Sequence, residues 1–170
     1  WRTANRIIKV AIKADDPTIT KQSVLPPANL VFLVDVSGSM SDNDKLPLVK
    51  SSLKMLTKQL RAQDTISIVT YAGRTQVTLP ATKGSDTDKI LAAIDSLDAS
   101  GSTNGEAAIK LAYQQAKIHY KKDGINRILM MTDGDFNVGV SDVDEMLDII
   151  RRERDSSVSL STFGFGEGNL

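Results

Sequence analysis

The sequence predicts an α/β domain of the doubly wound class: a three-layer sandwich around a mostly parallel sheet, with one antiparallel edge strand. Three observations carry this. The apolar runs Leu30–Val34 and Ile128–Met131 are continuous, as in strands buried on both faces. Segments with helical spacing alternate with the strand-like runs, which implies right-handed crossovers. Each of these two runs leads into an acid-bearing loop, Asp35 after the first and Asp133 after the second, where open α/β sheets place their ligands.

Composition narrows the function classes. The chain has 170 residues, enough for one domain with a sizeable core. Lys+Arg and Asp+Glu both count 21, so the formal net charge is zero. That balance argues against a nucleic-acid partner or an anionic membrane surface. With no cysteine, disulfides, thiolate metal sites and a cysteine nucleophile are excluded. No apolar run approaches the ~18 residues of a membrane span, so no membrane insertion is expected of this segment, and the N-terminus does not resemble a signal peptide. A start at Trp1 suggests a processed product or a cut segment, and the end at Asn169-Leu170 reads as a domain cut before its last helix.

The elements follow in order. Residues 1–27 read as an extension and linker, with residues 28–170 as the main domain. In the extension, Ile8, Val10 and Ile12 alternate with Lys9, Ala11 and Lys13, an additional half-buried strand suited to an edge. Pro26-Pro27 sets an extended approach to the first core strand. Ser41 with Asp44 three residues later offers a helix start, and Leu46, Val49, Leu53, Leu56 and Leu60 form the apolar face of a helix to about Arg61. Asp64–Tyr71 is a strand, and Gly73-Arg74 turns it into Thr75–Leu79 as a hairpin. A short helix from Ser85 carries Ile90, Leu91, Ile94 and Leu97. A small-residue loop, Ala99–Glu106, opens a long helix to about Lys122 with Ala108, Leu111, Ala112, Gln115 and Ile118 on its packed face. Arg127–Thr132 is a buried strand, Ser141–Asp144 caps a further helix with Val143, Met146, Leu147 and Ile150 inward, and Val158–Phe165 is the last strand.

Candidate ligands collect at one edge of this sheet. Asp35, Ser37 and Ser39 share a tight loop, with Gly38 permitting the turn between the serines. Thr103 precedes the long helix, and Asp133 ends a strand. Two carboxylates and three hydroxyls are hard oxygen donors, suited to Mg²⁺ or a similar cation, with one position left for water or an outside ligand.

Asp35-Val36-Ser37-Gly38-Ser39, Thr103 in Gly101–Asn104 and Asp133 in Thr132-Asp133-Gly134 together resemble the von Willebrand factor type A domains and their metal-ion-dependent adhesion site. The resemblance spans roughly residues 28–168, and Asp133–Gly139 with the N-terminal strand resembles a bacterial subgroup. It implies that Asp35, Ser37, Ser39, Thr103 and Asp133 hold a divalent cation: Mg²⁺ first, with Mn²⁺ or Ca²⁺ as alternatives. It also implies that a protein partner completes the shell with an Asp or Glu. Most such family members act at the cell surface or envelope, although intracellular ones exist.

Plainer readings stand beside these. Ser37 and Ser39 also suit turn positions or helix caps. Thr103 with Glu106 fits a capping box. Asp133 also suits a turn before Gly134. Asp135 is a support for the ligands, a ligand of another state, or a solvated loop acid, and Asn104 and Asn137 could shape the rim. His119, Trp1 and Tyr71 read as packing or surface residues, and Arg151–Arg154 as a solvated helix end.

The function expected is a binding module, not an enzyme. One alternative is a Mg²⁺-dependent phosphatase of the haloacid dehalogenase type. That class needs an acid two residues after the first Asp, where this chain has Ser37, and a lysine poised near the phosphate, of which the sequence gives no sign. A nucleotide-binding loop of the G-x-x-x-x-G-K-[ST] type is missing, and one histidine supports no Ser-His-Asp set. The other alternative is a structural assembly domain whose metal holds loops together.

Overall fold

A computed structural model of the chain describes residues 25–101, 106–134, 151–153 and 156–166. Among the described residues five strands form one sheet in the order β3-β2-β1-β4-β5. They are β1 (Ala28–Asp35), β2 (Thr65–Tyr71), β3 (Thr75–Lys83), β4 (Ile125–Thr132) and β5 (Ser159–Gly164). β1 is central and parallel to both β2 and β4, β4 and β5 are parallel, and β2–β3 is the antiparallel hairpin. The mixed sheet and its antiparallel edge are as the sequence predicts.

Alternation along β1 divides the core. Phe32 and Val34 face α1 (Leu46–Thr57) and α2 (Thr87–Asp95), packing with Val49, Leu53, Ile90 and Ile94. Val31 and Leu33 face α3 (Glu106–Ile118), packing with Ala108, Ile109, Ala112 and Tyr113. Helices therefore lie on both faces, the three-layer arrangement. Among the described residues no helix is long and apolar enough to cross a membrane.

Several boundaries differ from the sequence expectation for physical reasons. Ser41 does not cap α1: it ends a 3-10 turn, Gly38–Ser41, and α1 begins at Leu46 with Pro47 in its first turn. A helix running from Ser41 would put Pro47 in its interior, where the missing N–H and the ring clash are costly. The helix stops at Thr57 rather than near Arg61, because Arg61 turns aside to serve Asp64. Asp64 accepts the main-chain N–H groups of Ala28 and Arg61, at 2.9 Å each, and two guanidinium bonds from Arg61. The same guanidinium donates to the carbonyls of Leu25 and Pro26, which anchors the chain where it enters β1.

β3 runs on to Lys83, four residues past the expected Leu79. Simple alternation would put Val77 and Leu79 on one face. A register shift between Ile68 and Val69 instead sends Val77 to the α3 side and Leu79 to the α1/α2 side. α3 ends at Ile118, not Lys122, and its buried face is rotated from the expected one. Ala108, Ala112 and Ala116 lie against the sheet with Ile109 and Tyr113, while Ile118 is 66% exposed. Three alanines spaced by four residues let the helix backbone come close to the sheet. The expected N-terminal strand and residues 141–150 of the expected helix from Ser141 lie outside the described residues, while residues 151–153, in its expected solvated end, are helical.

β1 has β2 on one side and β4 on the other, so the connections after β1 and β4 part there. This is the topological switch point, and both Asp35 and Asp133 sit at it.

Candidate metal centre

Period two along β1 carries Asp35 onto the same face as Val31 and Leu33. Asp35 is completely buried. One carboxylate oxygen, Oδ1, accepts the Ser37 N–H at 2.9 Å, and Oδ2 accepts the Thr132 hydroxyl at 3.3 Å. No lysine, arginine or histidine among the described residues forms an ion pair with it. A buried carboxylate of this kind is costly without a counter-charge.

Ser37 begins the 3-10 turn with extended backbone, φ −64° and ψ 162°, and its side chain makes no capping bond. Its hydroxyl lies 3.0 Å from that of Ser39 instead. The loop gains nothing from Gly38 as a left-handed residue: its φ is not positive, and a Cβ there would meet only the Gly101 carbonyl, at 3.7 Å. The conformational demand falls on Gly101, at φ 85°, where a Cβ would sit 3.2 Å from the Gly73 nitrogen. Gly101 accepts the Gly38 N–H at 3.0 Å, and Ser100 donates its N–H to the Val36 carbonyl at 2.7 Å. These bonds hold the serine loop against the segment that leads to α3. Gly101→Ala should therefore lower stability by about 1–2 kcal/mol, read as a melting point several degrees lower in a thermal denaturation scan.

Asp133, at the end of β4, is 1% exposed. Thr132 connects the two acids, donating to Asp35 while its hydroxyl oxygen accepts the Gly134 N–H at 3.1 Å. Lys45 donates to Asp133 Oδ2 at 3.1 Å and to the Ser39 carbonyl at 3.0 Å, with Asp42 3.8 Å away. Its bond to Asp133 raises the ammonium's pKa. Tyr71, beside Asp35 in the register, is buried, and burial followed by the charge of Asp35 pushes its phenol well above the ordinary value. A cleft of about 420 Å³ adjoins the loop, lined by Val36, Thr70, Arg74, Thr78, Asp98 and Gly101 among others.

Four of the five predicted ligands are thus placed at the C-terminal edge of the sheet: Asp35, Ser37 and Ser39 on one loop, and Asp133 beside it through Thr132 and Lys45. Thr103 lies outside the described residues, as do Asp135, Asn104 and Asn137. His119 is exposed at the far end of α3. Among the described residues no group of three or more His, Cys, Asp or Glu side chains could hold a metal, so a cation here would depend on hydroxyl donors. The donor chemistry fits a hard divalent ion: two buried carboxylates, one without a cationic partner among the described residues, and two hydroxyls in contact. Sequence reasoning missed Lys45 and Thr132 as parts of this site. Lys45 carries no motif signal, whereas Thr132 could have been found as the hydroxyl directly before Asp133.

The sheet order and the serine and aspartate loops at its switch point define a class of α/β domain. A family model described as von Willebrand factor type A domain matches residues 30–136, and the chain belongs to that family. Over 169 residues the chain is 53% identical to the uncharacterized protein YfbK of Escherichia coli (strain K12), covering 99% of this chain but only 29% of that protein. The solved structure of a von Willebrand factor type A protein from Catenulispora acidiphila shares the fold with a TM-score of 0.69 at 17% identity, over 82% of this chain and 33% of that one. Manganese-loaded Plasmodium vivax TRAP protein shares it with a TM-score of 0.65 at 20% identity, over 84% and 59%.

Proposed function

We propose that this domain is a binding module, not an enzyme, which holds a divalent cation and captures an acidic side chain of a protein partner. Asp35, Ser37, Ser39, Thr103 and Asp133 would hold the ion. Mg²⁺ suits these oxygen donors best, and Mn²⁺ or Ca²⁺ would serve. When bound, the ion supplies a Lewis-acidic centre that accepts one further carboxylate. The observation that carries this reading is Asp35: a fully buried carboxylate with no cationic partner among the described residues, next to two serine hydroxyls 3.0 Å apart. Membership of the family and the likeness to a manganese-loaded structure support it.

The chain's own groups orient the site. The Ser37 N–H and the Thr132 hydroxyl fix the rotation of the Asp35 carboxylate. The Gly38–Gly101 bond fixes the serine loop from the other side. Ser37 stands where a phosphatase of the haloacid dehalogenase type places its general acid, and a serine hydroxyl is too weak an acid for that role.

Calorimetric titration with Mn²⁺ tests the reading. One cation per chain is expected, and at 100 times the dissociation constant the bound ion should stabilise the fold by about 2.7 kcal/mol. No binding heat together with no change in melting point would sink the metal site. Hydrolysis of a generic phosphate ester in Mg²⁺ would sink the non-enzymatic reading.

A further inference from the structure

Lys45 is a cation already seated among the proposed ligands. Its ammonium bonds the Asp133 carboxylate at 3.1 Å and the Ser39 carbonyl at 3.0 Å, so it spans both loops of the site. The side chain is only 17% exposed. Its stem lies against Gly166, at φ 93°, where an added Cβ would come within 2.8 Å of the Lys45 Cε. The Phe165 N–H bonds the Thr132 carbonyl at 2.9 Å, which ties that glycine to the end of β4.

The charge count follows. Two carboxylates alone would neutralise a divalent ion. Asp42, 3.8 Å from the same ammonium, is 70% exposed and screened by solvent, so the count takes the enclosed groups: Asp35, Asp133 and Lys45 leave one net negative charge, and a divalent ion turns it into one net positive charge. A single incoming carboxylate then brings the site to neutrality. The ammonium's repulsion also opposes the metal itself.

We propose that Lys45 is a tethered internal cation that neutralises Asp133, weakens divalent-ion binding, and keeps the loaded site one unit positive toward an acidic partner. This rests on the metal-site reading above. Asp133 therefore contributes less to ion affinity than Asp35, which has no such partner among the described residues.

The test is Mn²⁺ titration of the whole protein with Lys45→Met and Lys45→Arg beside the wild type, plus thermal melts of each in chelator and in saturating Mn²⁺. Methionine keeps an apolar stem against Gly166 and removes the charge together with the bonds to Asp133 and Ser39. Lys45→Met should bind Mn²⁺ about tenfold more tightly at low ionic strength, with the gain shrinking as salt is added. Lys45→Arg should stay close to wild type. In chelator, Lys45→Met should melt below the wild type because Asp133 has lost its counter-charge, and saturating Mn²⁺ should close that gap. Equal or weaker Mn²⁺ affinity in Lys45→Met overturns the inference, and so does a melting point in chelator equal to that of the wild type. Failure of every form to bind Mn²⁺ is a different result: it overturns the metal-site reading and this inference with it.

Discussion

Asp35→Ala should cost at least about 100-fold in divalent-cation affinity, roughly 2.7 kcal/mol. Asp35 is buried, is aimed by the Ser37 N–H and the Thr132 hydroxyl, and has no ion pair with any described residue. Nothing already in place would substitute for its charge. Asp133→Ala should cost less, because the Lys45 ammonium already neutralises that carboxylate. The two variants thus rank the two acids, which charge alone would make equal. In chelator the order should change. Removing Asp35 loses the bonds from the Ser37 N–H and the Thr132 hydroxyl but also removes a buried charge without a cationic partner among the described residues, so the melting point should hold or rise. Calorimetry with Mn²⁺ and paired melts in chelator and in Mn²⁺ give both readouts. Asp35→Asn keeps the shape and should still lose most of the affinity. Wild-type affinity in Asp35→Ala would remove Asp35 from the site.

Asp64→Ala should destabilise the domain by about 3 kcal/mol at neutral pH. The carboxylate accepts the N–H groups of Ala28 and Arg61 as well as the Arg61 guanidinium, and it is 4% exposed. Alanine leaves those main-chain donors without an acceptor, at about 1–3 kcal/mol for each buried group. For a domain of this size the melting point should fall by roughly 6–12 °C. The effect is pH-dependent with a definite sign. Burial raises the pKa of Asp64, but the bonds from Arg61 and from the Ala28 and Arg61 N–H groups outweigh it and hold the carboxyl below its ordinary 3.8. A group with a depressed folded-state pKa contributes stability that is present above its unfolded pKa. That stability is lost as pH falls through the folded value. The gap between wild type and Asp64→Ala should be full at pH 7 and narrow below about pH 3.8. A gap that stayed constant down to pH 2 would show that the charge of Asp64 is not what matters.

Much of this domain was legible in the residues themselves. Continuous apolar runs identified β1 and β4, because a strand covered on both faces has no solvent side to mark with polar residues. The antiparallel edge could be read from Gly73-Arg74 between two strand-like segments. The positions of Asp35 and Asp133 followed from the same logic, since parallel strands all deliver their C-terminal ends to one edge of the sheet.

Other features depend on contacts between distant segments, and local sequence carries no trace of them. Lys45 carries no motif signal, yet it bonds Asp133 from 88 positions away. The rotated face of α3 was set by which side chains let the helix approach the sheet closely, not by periodicity alone. The split of Val77 and Leu79 between two cores came from a pairing shift that alternation does not reveal. By itself, then, the sequence determined the fold class, the antiparallel edge and the acids at the ends of β1 and β4, because patterning and chain direction suffice for those. Only the tertiary structure decided that Asp35 stands without a cationic partner among the described residues while Asp133 already has one, because an ion pair exists only where folding brings two remote charges within reach.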